Sequence, residues 1–184
     1  ISNRDLLETY LPAFQELVQE ANVKEVMCAY NRLEGEPCCG SSNLLITILR
    51  EKWGFDGVVT SDCGAISDFW MKGRHETSPD RATASATAVI NGTDVECGNN
   101  FKSLTEAYKA GQINEAQIDQ AVFRLLKARF ELGMFDDPGQ VSWSKIPMSV
   151  VESAPHKAKA LEMARKSMVL LSNKNNALPL SKNL

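Results

Sequence analysis

The sequence has no starting Met, no CxxC pair, no basic cluster and no long apolar run anywhere in its 184 residues. Each absence excludes something. A membrane helix needs about 20 consecutive apolar residues, so no membrane span is expected. The net charge is −3, and without a basic patch to neutralise phosphates no nucleic-acid partner is expected. Only two His occur, His75 and His156, and zinc sites usually need local Cys or His pairs, so no metal is expected. The opening ISNRDLLETY has neither the charged start nor the apolar stretch of a signal peptide. An upstream segment lost from the chain would leave the same sequence, so this says little about compartment. The five Cys (28, 38, 39, 63 and 97) are an odd number, which argues against a pure disulfide framework. The reading is buried or partly buried thiols with room for one disulfide.

What is present is ordinary for a chain that buries a core: 43% hydrophobic and 23% charged residues. Leu6, Leu7, Tyr10, Phe14, Leu17 and Val18 recur at helical steps. Ser2 or Asn3 is placed to cap that helix, and Pro12 should kink or restart it. Val26 to Tyr30 is a short apolar run of strand length, read as buried on both faces as in a parallel sheet. A loop follows with Gly35, Pro37 and Gly40. A helix from Asn43 to Trp53 is closed by Gly54, and a second strand runs from Gly57 to Asp62. After a polar loop, residues 79–90 are Ala-rich and helical. Thr93 to Cys97 is a third strand candidate, and a short helix runs from Leu104 to Ala110. The strongest helix spans Glu115 to Leu132, with Asn114 and Gln117 as a capping box. Its expected buried face is Ile118, Val122, Leu125, Leu126 and Phe130. A linker with Pro and Gly follows Asp136. A helix at residues 155–166 then leads to Met168–Leu171, read as another buried strand. Strands alternating with helices imply an α/β fold with a parallel sheet.

In such folds functional groups gather at the C-terminal ends of strands. Asp62 stands out there: a carboxylate ending an apolar strand is costly unless paired or hydrogen-bonded. Capping of the next turn is the commoner role on position alone. Tyr30 is equally suited to ligand bonding and to the core. Glu96 faces the same mouth or bonds its own loop, with the loop favoured. Arg74, His75 and Glu76 read as solvated surface, and Arg4 as a salt-bridge partner. Asn91-Gly92-Thr93 fits a glycosylation acceptor, but a tight turn accounts for it better.

Val26-Met27-Cys28-Ala29-Tyr30-Asn31, Gly35-x-Pro37, Leu44-Leu45-x3-Leu49-Arg50-x2-Trp53-Gly54-Phe55-x-Gly57 and Val59-x-Ser61-Asp62 occur in that order. Further on come Asn91 to Asp94, Cys97-Gly98, Leu132 to Phe135, and Ala164 to Leu171. Taken together, the chain resembles glycoside hydrolase family 3, which contains β-glucosidases, β-xylosidases and related exo-acting enzymes. The resemblance implies the last three β/α units of a (β/α)8 barrel over residues 1–135, a linker over 136–154, and the first helix and strand of an α/β sandwich over 155–184. It implies that Asp62 is the catalytic nucleophile and that Tyr30 lies in the glycone subsite. Cys63 stands where many β-glucosidases have Trp, which favours a xylosidase or arabinosidase. Tyr30, Cys63 and Glu96 are the candidate substrate-binding residues.

The implied function is hydrolysis of terminal non-reducing β-linked sugars by a retaining double displacement, without metal or organic cofactor. The acid/base partner would lie beyond Leu184 and other sugar-binding residues before Ile1. The expected partner is a glycoside or oligosaccharide, with self-association of this chain, and a periplasmic or secreted setting is favoured. A non-catalytic sugar-binding relative and a stand-alone α/β interaction module are the alternatives.

Overall fold

A computed structural model describes residues 1–182. It divides into two compact units, Ile1–Phe135 and a second that begins at Asp136.

The first unit opens with a short helix, α1 (Asn3–Asp5), capped by Ser2, whose hydroxyl accepts the Asp5 N–H. The turn widens over Leu6–Tyr10, where Leu11 N–H reaches Leu6 O at 3.0 Å. Pro12 restarts the helix as the first residue of α2 (Pro12–Gln19); a first turn leaves its N–H position unbonded anyway, so proline costs nothing there.

Strand β1 (Glu25–Cys28) is followed by a hairpin too small to be legible in the sequence, β2 (Arg32–Leu33) with β3 (Glu36–Pro37). Its turn residues Glu34 and Gly35 both have positive φ, 53° and 91°, the backbone a two-residue hairpin demands. A helix over Asn43–Lys52 then leads to β4 (Val58–Ser61). β1 and β4 pair in parallel, Val26 opposite Val59 and Cys28 opposite Ser61. The two backbones meet tightly at Gly57, where any Cβ would collide with the Lys24 carbonyl.

The expected third strand is reduced to one parallel bridge between Thr60 and Val95. The reason is chemical. Val59 O accepts both Asp94 N–H and Val95 N–H, while Val59 N–H donates to the Asp94 side chain at 2.9 Å. A carboxylate takes the place of a backbone acceptor and interrupts the ladder.

Helices α3 (Arg81–Ile90), α4 (Leu104–Lys109) and α5 (Glu115–Glu131) follow. The capping box of α5 forms as read, Gln117 N–H to Asn114 Oδ1 and Asn114 N–H to Gln117 Oε1, each 3.0 Å. The main core joins Leu45, Leu49, Phe55, Val59, Ile66 and Phe69 to Ala84 and Ala88 of α3. Small residues on α3 let it lie close to its neighbours. A second cluster joins Ala86, Val89, Ala107, Ile113 and Ala121. The expected face of α5 is buried only in part: Ile118 and Leu125 are half-buried, Ile118 against the second cluster, whereas Val122 and Phe130 are 45% and 63% exposed and the wholly buried residue of the helix is Ala121. Within this unit the helix packs through Ala121 and Ile118, and Val122, Leu126 and Phe130 stay exposed.

The cysteines also differ from expectation. Cys28–Cys39 and Cys63–Cys97 are disulfides, and Cys38 is a buried free thiol. Chain folding brings the ends of β1 and β4 against loops that carry their partners. Loops of 11 and 34 residues correspond to about 3 and 4 kcal/mol in the chain-entropy account.

In the second unit α6 (Ala154–Ser167) forms with Pro155 in its first turn. The expected strand at Met168–Leu171 does not. That segment has no strand partner among the described residues, and Leu171 is 92% exposed. A strand exists only where another chain segment accepts its backbone groups. Residues 183–184 of the proposed sandwich region lie outside the described residues. No helix among the described residues is long and apolar enough to cross a membrane.

One buried ionic group ties the first unit together. Asp94 has a side chain 1% exposed, held by Arg50 at 2.7 Å and Arg124 at 2.9 Å. Arg50 also donates to the carbonyls of Gly57 and Gly92. Burial pulls the Arg50 pKa below its usual value, and Asp94 works against that pull. Removing the carboxylate leaves two inward guanidinium groups uncompensated. Asp94→Ala is therefore expected to destabilise the unit by about 3–5 kcal/mol. Breaking the exposed Arg4–Glu8 pair should change stability by less than about 0.5 kcal/mol. Urea unfolding midpoints measure both; an unchanged midpoint for Asp94→Ala would refute the role given to this group.

Candidate active site

β4 delivers Ser61, Asp62 and Cys63 to its C-terminal end. Ser61 is buried, and its Oγ accepts the Cys97 N–H at 3.1 Å. Asp62 N–H donates to Cys28 O at 3.2 Å, so the backbone is still tied to β1 at the point where the side chain emerges. The Asp62 carboxylate is half-buried, and its Oδ1 accepts the Cys63 N–H at 2.7 Å. Gly64, at φ 81°, then turns the chain into a short 3-10 segment, Ala65–Phe69. Ala65, Ile66 and Phe69 are buried in the core, which anchors the turn.

Tyr30 lies just beyond β1, and its hydroxyl donates to the Cys63 carbonyl. Partial loss of water around the phenol raises its pKa above the usual 10, and the negative charges of neighbouring Asp62 and then Asp68 raise it further. The neutral phenol is thereby favoured, and with it a proton to donate. Asp62, Tyr30 and Cys63 are thus brought together, although position alone left Asp62 and Tyr30 open to blander roles.

Glu96 is engaged elsewhere. Its Oε2 accepts the Phe101 N–H at 2.7 Å and its Oε1 accepts from Asn100 Nδ2. Both oxygens are bonded inside its own loop, so the structure gives it the loop-bonding role and not a free substrate contact. Gly98 is part of the same fit, since a Cβ there would come within 2.6 Å of Glu96 Oε1. Asn100, buried, also accepts from Trp70 Nε1 at 3.0 Å and donates to Ser67 Oγ at 3.0 Å. This bracing holds the loop carrying Cys97, whose disulfide to Cys63 stands directly beside the carboxylate.

The loop read as solvated surface is also structured. His75 Nε2 lies 2.7 Å from Tyr30 O, Glu76 accepts the Gly73 N–H at 2.8 Å, and Arg74 approaches Asp68 at 3.7 Å. Gly73 and Glu76 both have positive φ, which folds the loop back on itself. Asn91-Gly92-Thr93 is a turn, as favoured: Asn91 donates to Gly40 O, and wholly buried Thr93 donates to Cys39 O at 2.8 Å. Asp94, Asn100 and Cys97 were missed as organisers of the site. The signal in the sequence was an Asp inside the short Thr93 to Cys97 strand candidate, and Asp94 and Cys97 also stood among the residues that carry the resemblance. Among the described residues, no group of three or more His, Cys, Asp or Glu is arranged to hold a metal.

This geometry has relatives. A sequence model described as the glycosyl hydrolase family 3 N-terminal domain matches residues 1–128. A xylan 1,4-β-xylosidase of Xylanibacter ruminicola is 54% identical over 185 residues, covering 100% of this chain and 21% of that protein. A probable β-D-xylosidase 7 of Arabidopsis thaliana is 38% identical over 184 residues, covering 99% of this chain and 24% of its own length. Among solved structures, a family 3 exo-β-xylosidase in complex with a xylobiose aziridine probe superposes with a TM-score of 0.88 at 33% identity, over 100% of this chain and 24% of that one. A β-glucosidase of Listeria innocua in complex with glucose gives 0.84 at 30% identity, over 98% of this chain and 24% of that one. The chain therefore spans about a quarter or less of the proteins it resembles. A match over most of its length, with relatives this similar from end to end, shows that the chain belongs to glycosyl hydrolase family 3.

Proposed function

We propose that this chain supplies the nucleophile-bearing part of a longer retaining exo-glycosidase that removes terminal β-linked xylose or glucose, with Asp62 as nucleophile. One observation carries the reading. Asp62 stands half-buried at the C-terminal end of a parallel strand, oriented by the Cys63 N–H and flanked by the Tyr30 phenol. The parallel order β1, β4, Val95, with helices between, supports residues 1–135 as the last three β/α units of a barrel. Residues 136–154 then serve as a linker and 155–184 as the start of a sandwich domain.

In a retaining mechanism two carboxyl groups flank the scissile bond about 5–5.5 Å apart. Asp62, ionised, attacks the anomeric carbon while a second carboxyl group, supplied by the rest of the protein, protonates the leaving oxygen. The covalent glycosyl-enzyme splits one hard displacement into two easier ones. Water activated by the second group then releases the sugar and frees Asp62. The hydrogen bond from Cys63 N–H fixes the orientation of the carboxylate. The neutral Tyr30 phenol stands next to it, its proton held by the Cys63 carbonyl. The Cys63–Cys97 disulfide forms a stiff wall where a large aromatic would otherwise stand, which supports a xylosidase reading, in keeping with the names of several relatives.

In the full-length protein, Asp62→Ala and Asp62→Asn should lose at least about 10³-fold in turnover of an aryl β-xyloside while circular dichroism stays unchanged. Wild-type turnover by either variant refutes the assignment. The 184-residue chain by itself should not hydrolyse the same substrate, since one carboxylate cannot fill both roles; robust hydrolysis would contradict this. With Phe123, Phe130 and Phe135 exposed on one side of the first unit, the chain alone should also self-associate, and a clean monomer in light scattering would count against that.

A further inference from the structure

Tyr30 sits two residues past the end of β1, beyond the strand's ladder, and its side chain is 45% exposed. A tyrosine so placed samples several rotamers unless something other than packing holds it. Two contacts do, and both come from the same connection after β4. Its hydroxyl donates to Cys63 O, and its main-chain carbonyl lies 2.7 Å from His75 Nε2. A carbonyl has no proton to give, so the imidazole is the donor and carries its proton on Nε2. The doubly protonated ring donates equally well, so this bond survives in either charge state.

His75 is itself fixed. Its N–H donates to Asp68 O at 2.8 Å. The next residues return to the core through Thr77 and Ser78, whose N–H groups both donate to the carbonyl of buried Phe69 at 2.7 and 2.9 Å. The result is a closed circuit, from the Tyr30 hydroxyl to Cys63, along the loop to His75, and back to the Tyr30 carbonyl.

We propose that His75 is a positioning residue: by gripping the Tyr30 carbonyl it holds the phenol against the Cys63 carbonyl beside Asp62. The inference rests on the reading of Asp62 as nucleophile. It gives the polar loop a task that the reaction scheme does not otherwise assign. Misplacing a group next to the reacting atoms by about 1 Å can cost on the order of 10²-fold in rate, so an indirect residue of this kind has a measurable effect.

The test uses the full-length protein. His75→Phe keeps a ring without the donor, and His75→Gln restores an N–H donor. Wild type is first labelled with a 2-fluoro-xyloside and the modified residue located by mass spectrometry. Label on Asp62 secures the underlying reading independently of His75, whereas label on another residue removes that reading and this inference with it. With Asp62 labelled, His75→Phe is expected to lower kcat and the labelling rate about tenfold or more. KM and the melting temperature should change little, and His75→Gln should recover most of the loss. Because His75 acts through the phenol, adding His75→Phe to Tyr30→Phe should cost little further. Wild-type rates in His75→Phe, equal losses on both backgrounds, or a loss that Gln does not rescue would each overturn the proposal.

Discussion

A carboxylate almost wholly out of water, gripped by two guanidinium groups from different helices, holds the first unit in register. Asp94 receives Arg50 from the helix before β4, Arg124 from α5 and the Val59 N–H from β4 itself. Burying three charges is expensive, and such groups commonly contribute little net stability compared with an apolar replacement. Their geometric demand is different in kind. Apolar contacts accept small slides, whereas a carboxylate with three directed donors fixes two helices and a strand at one point.

The site inherits that fixed point. Because Asp94 replaces a ladder acceptor, pairing shrinks to the single bridge at Val95, and the chain then becomes the loop that carries Glu96, Cys97 and Gly98. Ser61 Oγ receives the Cys97 N–H, Glu96 and Asn100 brace the loop from behind, and the disulfide closes it onto Cys63. Asp62 is thus oriented by neighbours that are each held by another bonded group. For the nucleophile role proposed for Asp62, such support would keep the carboxylate within the narrow geometry that displacement chemistry needs. The Tyr30–His75 circuit adds a second brace.

The large apolar surfaces left open in the first unit have a consistent place in this picture. The stripe on α5 and the face of α2 have helical spacing suited to burial, yet residues such as Phe14, Val122 and Phe130 remain exposed. An amphipathic stripe reports what a helix is built to meet, and the chain spans about a quarter or less of its relatives. The proposed barrel gives these faces a covering from the rest of the protein.

By itself, the sequence determined the parts governed by local physics. The periods of α2, α3 and α5, the capping box at Asn114, the restart at Pro12, and the parallel pairing implied by alternating helices and apolar runs were all legible, because each depends on residues a few positions apart. The order of motifs around Asp62 pointed to the family for the same reason. The tertiary structure decided what depends on distant residues meeting. Cys28 and Cys63 found partners that no count could assign, and the helical stripe of α5 could not show whether anything lay over it. Met168–Leu171 had strand composition but no strand partner among the described residues. His75 read as solvated surface and Glu96 as a candidate substrate contact; only the fold turned the first toward Tyr30 and the second onto Asn100. Asp94 was the hardest to read, since a buried charge is stable only where its counter-charges arrive, and those stand 44 residues before it and 30 after.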